Sequence, residues 1–285
     1  MEVSGSDRPV YHLAHRKPAD VDHEPYQFLF KGEEGSPDYF HWFMATLEEG
    51  LYSPRHHHTF DQVHLLIDGE YRLKKDSKPL PVGSVTYISE GVFYGPLEGN
   101  PRYRFLSLQV TGATGTPHLS FDQINEASAR LLERGTFKNG VFTYEDEEGR
   151  HHNKDGYEAV WEEVTQRRIE YPKARYTEPV QMITDAFKWV PFSGQSGVSV
   201  RHLGTFNELQ LKVEFFKVDK GATFKPAKWP SNVLGYVTRG CVTEVGGETV
   251  KEGMGLLIPP GDDVSLVAQE ETEIYTIWLP IRPVV

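Results

Sequence analysis

Apolar and polar positions alternate over short stretches of this chain, separated by glycine-rich breaks, and a period of two residues marks half-buried β-strands. Five such stretches lie between residues 26 and 112: YQFLF at 26–30, YFHWFMATL at 39–47, DQVHLLI at 61–67, SVTYI at 84–88 and YRFLSLQV at 103–110. Turn-forming segments such as GEEGSPD, IDGE, PVGS and EGNPR punctuate them, so the pattern predicts an antiparallel sandwich or barrel. From about 117 to 178 the period changes. INEASARLLERG and DGYEAVWEEVTQRR carry helical spacing, with Asn125 as a predicted cap of the first helix and Gly135 as its stop, while EDEEGRHHNKDG between them reads as a solvated loop. Strands return after about residue 186, in LQLKVEFFKV, NVLGYVT, GLLIPP and EIYTIWLPI. The expected organisation is all-β: a first β domain with an amino-terminal arm at 1–116, a helical and loop connector at 117–185, and a second β domain at 186–285.

Composition narrows the class. The chain has 285 residues, 38% of them hydrophobic and 12% aromatic, which is enough to bury a sizeable core. Thirty Lys and Arg against 41 Asp and Glu leave a net charge of -11. No basic run exceeds a dipeptide such as Lys74-Lys75 or Arg167-Arg168, so a nucleic acid partner is not expected. A single cysteine, Cys241, excludes an intramolecular disulfide and a thiolate metal cluster. Without a signal-peptide pattern or an eighteen-residue apolar run, the expectation is a cytoplasmic protein with no membrane partner.

A search for repeats is more informative. Gly50 and Gly221 are 171 residues apart, as are Gly69 and Gly240, while Gly83 and Gly253, and Gly91 and Gly261, are each 170 apart. Four glycines on one spacing predict the same turns twice, hence a duplicated β domain. In the first copy the framework reads Gly50, five residues, His56-x-His58, three residues, Gln62, six residues, Gly69; then Gly83, five residues, Ser89-x-Gly91, two residues, Tyr94. Histidines at i and i+2 of a strand share a face, so His56 and His58 can converge on one ion while His57 faces away.

These two clusters resemble the paired motifs of the cupins, and the whole chain is similar to a bicupin. The resemblance implies two jelly-roll β-barrels, each of a kind that usually holds one metal through three histidines and a glutamate. It implies His56, His58 and Gln62 as metal ligands and a divalent transition metal, Fe, Mn, Zn, Ni or Cu, as cofactor. Two positions depart from the family: Gln62 stands where glutamate is usual and Tyr94 where the third histidine is usual. Gln62 keeps a carbonyl oxygen without the charge, and Tyr94 either ligates as phenolate or hydrogen-bonds a substrate. His64, two residues beyond Gln62 on the same face, is a candidate third imidazole or a general acid/base.

In the second copy Ala227 and Trp229 occupy the His-x-His positions, Val233 the Gln62 position and Val264 the Tyr94 position, although Pro259 and Gly261 keep the turn. That barrel is expected to hold no metal. His41, Tyr87 and Arg104 lie on strands able to line the first barrel and are weaker candidates for substrate contact. His12, His15, His23, His118, His151, His152 and His202 are expected to be solvated, and Cys241 is not expected to be a nucleophile. The resemblance implies a small oxygen-bearing substrate and a dioxygenase-type enzyme; a metal-dependent isomerase or lyase and a non-catalytic small-molecule binder stay open, as do monomer and homodimer.

Overall fold

Every strand pair is antiparallel in a computed structural model that describes residues 1–5, 10–11, 13, 26–72, 77–99 and 101–282. His12, His15, His23 and Lys74-Lys75 lie outside the described residues. The chain forms two compact units, Pro9–Met182 and a second that joins Met1–Arg8 to Ile183–Val285.

The first unit is organised around a seven-stranded sheet in the order Val180–Met182, Val85–Ile88, Phe60–Gly69, Tyr103–Thr111, Phe40–Leu47, Tyr26–Lys31, Val10–Tyr11. Five of these are the expected strands, with bounds shifted by a residue or two. The central strands are buried on both faces: Val63 and Leu65 are as enclosed as Gln62 and His64. One face looks into the barrel. Phe28, Phe43, Ala45 and Phe60 join there with two helices, α1 (Phe121–Leu132) and α2 (Gly156–Thr165), in one core. Burying the apolar face of α1 (Phe121, Ile124, Ala127, Leu131) stabilises by roughly 1.5–3 kcal/mol for each large side chain.

The connector differs from expectation at both ends of α1. Ser120, not Asn125, caps the helix: its hydroxyl accepts from the Gln123 N–H while the Gln123 side chain accepts from the Ser120 N–H. Phe121 and Ile124 belong to the buried face, so the helix must start early enough to include them. Its carboxyl end comes at Leu132, and Gly135 instead opens a strand. The polar EDEEGRHHNKDG segment is a hairpin rather than a loop: Val141–Glu145 pairs with His151–Asp155, and Asp146 holds the turn by accepting from the Glu148 and Arg150 amides, the Arg150 side chain and His152. Asp155 then caps α2 by accepting from the Glu158 N–H.

The second unit repeats the sheet order: Glu2–Val3, Gly255–Ile258, Val233–Arg239, Thr272–Trp278, Lys212–Val218, Val198–Thr205, Val190–Pro191. The amino-terminal residues therefore complete this sheet rather than the first one. Register supports the duplication. Gln62 lies across from Gln109, which lies across from His41; in the second sheet Val233 lies across from Trp278, which lies across from Lys212. All eight framework glycines have positive φ. At Gly69 and Gly240 a Cβ would stand 2.3 and 2.6 Å from the carbonyl oxygens of Arg102 and Glu271, so both the backbone region and the close approach require glycine there.

Candidate metal centre in the first barrel

His56 and His58 do not lie on a regular strand. Residues 56–58 pair locally with 91–94: the amides of His56 and Tyr94 each donate to the other's carbonyl at 3.0 and 2.9 Å, and the Gly91 N–H donates to the His58 carbonyl at 2.8 Å. This short ladder keeps strand-like alternation and places His56 directly across from Tyr94. His57 points to the other side, where its ring is stacked between Phe93 and Tyr171 at 3.9 and 3.6 Å. Burial lowers the His57 pKa, opposed by the Gly91 carbonyl and Asp155.

The inward side chains form one hydrogen-bonded group. The His56 Nδ1 lies 2.6 Å from the Pro54 carbonyl, which can only accept, so Nδ1 carries a proton and Nε2 is the nitrogen turned inward. That Nε2 lies 3.0 Å from the Tyr94 hydroxyl, and Gln62 donates from Nε2 to the same hydroxyl at 3.1 Å. Gln109 donates in turn to Gln62 Oε1 at 3.4 Å. The His58 ring is 4.9 Å from that of His56, stacked on Phe60 at 4.5 Å and met edge-on by Tyr157 of α2 at 4.8 Å. His56, His58, Gln62 and Tyr94 are buried, none more than 5% exposed, and Gln109 is partly buried.

A second layer of aromatic nitrogen lies beyond Phe60. His41 shares a 2.5 Å hydrogen bond with the Tyr39 hydroxyl, and its ring is 4.7 Å from that of His118. His118, expected to be solvated, is buried against Phe60 and His41. Burial lowers its pKa to about 3; burial first, then the neighbouring His118, lowers that of His41. Both rings are neutral at ordinary pH. Sequence reasoning missed Gln109, His118 and Tyr157. Gln109 continues the inward alternation Tyr103, Phe105, Ser107, which was a readable signal.

The other candidates fall in different places. His64 has the inward phase but lines a cavity with Tyr71, Ser84 and Thr86, its ring against Phe105 at 4.6 Å. Tyr87 and Arg104 correct the expectation of barrel-lining side chains. Thr86 lines the cavity, as do Tyr103 and Phe105, so alternation sends Tyr87 and Arg104 to the outer face. Tyr87 there interacts with Asp61 and Ser89, and burial raises its pKa. The Glu90 carboxylate, wholly buried on this outer side, pairs with Arg175 at 2.5 Å and accepts from Thr114.

Donor chemistry decides whether a metal fits. Among the described residues no three His, Cys, Asp or Glu side chains cluster at metal-ligand spacing. Two imidazoles, one with its Nδ1 held by the Pro54 carbonyl, together with the Tyr94 phenol and the Gln62 amide, whose Oε1 lies 3.5 Å from that hydroxyl, form an N/O set that fits a divalent transition ion. In the second unit, Gly261 donates to the Trp229 carbonyl at 3.0 Å as Gly91 does to His58, which places Trp229 where His58 stands. Trp229 packs on Trp278 at 5.4 Å, and the Lys212 ammonium lies 4.0 Å over Trp278 and 3.1 Å from Glu214. Glu214 also meets His202, which is half exposed, at 3.1 Å. Val233 and Val264 are buried in the apolar core.

Solved structures with the same architecture cover nearly the whole chain. A dioxygenase candidate from Nostoc punctiforme PCC 73102 superposes with a TM-score of 0.57 at 12% identity, over 92% of this chain and 75% of that one. Oxalate decarboxylase from Lactobacillus farciminis, solved as a formate complex, gives 0.53 at 12%, over 98% and 86%. Salicylate 1,2-dioxygenase from Pseudaminobacter salicylatoxidans gives 0.52 at 13%, over 86% and 72%. The chain has the cupin fold. It carries that fold twice, with the sheet order repeated strand for strand. No family sequence model matches this chain, and no curated protein matches it by sequence. No helix among the described residues is long and apolar enough to cross a membrane.

Proposed function

We propose that the first barrel is the active centre of a metal-dependent bicupin enzyme of dioxygenase type, acting on a small oxygen-bearing organic molecule. The observation that carries this reading is the His56 ring, whose Nδ1 is tied to the Pro54 carbonyl so that Nε2 faces Tyr94 and Gln62. His56 and His58 would hold the metal, with the Tyr94 oxygen completing the set, or Gln62 Oε1 once its amide turns from Gln109. When bound, such an ion supplies Lewis acidity and, if it is iron, dioxygen chemistry.

The chain's own residues do the rest. Tyr94 gives its hydroxyl proton to the His56 Nε2 hydrogen bond in the metal-free protein and is free to redirect it to a substrate oxygen once that nitrogen is engaged. Gln109 holds Gln62 by its carbonyl oxygen, leaving the amide Nε2 to donate to the Tyr94 hydroxyl. Phe60 and Tyr157 pack against His58 and exclude water from that side. A second reading, a non-catalytic cupin that binds a small molecule, is favoured by one feature: the donor set contains no carboxylate and so holds an ion less tightly.

Metal analysis of protein purified without a histidine tag separates the two. The proposed enzyme carries one transition ion per chain, and His56→Ala and His58→Ala each lose it together with consumption of dioxygen and substrate. Protein that is metal-free, and unchanged by chelator, supports the binder instead.

A further inference from the structure

On the floor of the first barrel, past Gln62, lies a small cavity of about 10 Å³ whose wall includes His64, Tyr71, Ser84, Thr86 and Tyr103. That free volume matches one water-sized guest. The Tyr71 hydroxyl and Ser84 Oγ are fully shielded from solvent and make no hydrogen bond to any described residue, and their residues are 7% and 2% exposed. Ser107, directly across from His64 on the neighbouring strand, has a shielded hydroxyl in the same condition. Buried hydroxyls without partners are costly, and a cavity walled by two of them, Tyr71 and Ser84, needs something there to satisfy them. Among the described residues the lining includes no Asp, Glu, Lys or Arg, and Leu66, Leu80, Leu97 and Phe105 complete the wall. A charged guest would be desolvated without a counter-ion, and an apolar one would leave the hydroxyls unmet.

We propose that this cavity is a binding site for one neutral, oxygen-centred hydrogen-bonding group, held by Tyr71 and Ser84 beside His64 and supplied either by water or by the hydroxyl of a small alcohol. None of His56, His58, Gln62 and Tyr94 lines this cavity, and the site does not depend on a metal. Tyr71 enters it as a donor through its buried hydroxyl.

Oxygen-17 relaxation dispersion of water, recorded on the full chain and on the Tyr71→Phe/Ser84→Ala variant, tests the site, with methanol as the second probe. Both substitutions remove only oxygen atoms, and Ser84→Ala alone serves if the pair fails to fold. The wild type is expected to show a long-lived internal water that the variant loses, together with a lower melting temperature in the variant. Displacement of that water by methanol, with saturation transfer from the methyl group in the wild type only, assigns the site to alcohols as well; loss of the water in the variant without displacement assigns it to water alone. Identical dispersion in both proteins, no methanol transfer and a raised melting temperature in the variant would overturn the proposal. Metal content and substrate turnover are read separately, so failure here leaves the metal-centre reading standing.

Discussion

The Nε2 of His56 and the phenolic oxygen of Tyr94 are 3.0 Å apart, on residues that face each other across a two-bond antiparallel ladder. The backbone thus sets the distance, and the side chains inherit it. Tyr94→Phe keeps the ring and removes the oxygen that both His56 and Gln62 address. In the metal-free protein it should cost about 1–3 kcal/mol in urea unfolding, because two buried groups lose a partner. In the loaded protein it should lower substrate turnover more than the unfolding free energy.

Acid should destabilise the first unit through His118. Burial depresses its folded-state pKa from 6.5 to about 3, so the unfolded chain binds a proton that the folded one refuses. The stabilisation is fully present above pH 6.5 and is lost as pH falls towards 3. Within that window the slope should approach about 1.4 kcal/mol per pH unit. His118→Phe should flatten the acid limb of the stability–pH curve.

Arg175 is the counter-ion of a wholly buried carboxylate, Glu90. Arg175→Ala leaves that charge uncompensated and should cost about 3–5 kcal/mol. Adding Glu90→Gln should restore a large part of the loss in thermal unfolding. A double variant no more stable than the single one would show that the pair contributes through packing alone.

Gly91 joins the turn to the metal-centre ladder through its hydrogen bond to the His58 carbonyl. Its φ is +76°, and a Cβ would stand 2.3 Å from the Pro172 carbonyl oxygen. Gly91→Ala should cost about 1–3 kcal/mol from backbone strain alone. Because the displaced turn carries His58 with it, metal content should fall as well. Gly35→Ala makes a useful control, since that glycine also has positive φ but no neighbour within 4 Å.

Periodicity and glycine spacing were legible because they act locally. A strand needs only its own alternation, and a positive-φ turn only its own glycine, so the central strands and the duplication could be read directly. Val198–Thr205 escaped notice because Arg201, His202 and Gly204 interrupt its alternation where the ladder shifts register. The phase of a strand is harder to read than its existence: Tyr87 and Thr86 both lie on Val85–Ile88, and only packing decides which one enters the barrel. His118 and Tyr157 depend on contacts with His41, Phe60 and His58 far away in sequence, and no nearby residue announces them. His56, His58, Gln62 and Tyr94 came together as their spacing suggested, while His64 was carried one layer deeper by the pitch of its strand.

Each large sheet is completed by a strand from outside its own repeat. Val180–Met182, which leads into the second repeat, pairs with Val85–Ile88 in the first sheet, and Glu2–Val3, which precedes the first repeat, pairs with Gly255–Ile258 in the second. During synthesis the first barrel cannot cover its Val85–Ile88 edge until residue 182 has emerged. The segment that seals the second barrel is made well before the rest of that barrel and must wait for it. Such long-range closures slow folding and leave a bare strand edge while they are pending. The two barrels are therefore coupled through the order of chain completion, and a gene fragment cut at the repeat boundary would encode two sheets that each lack an edge.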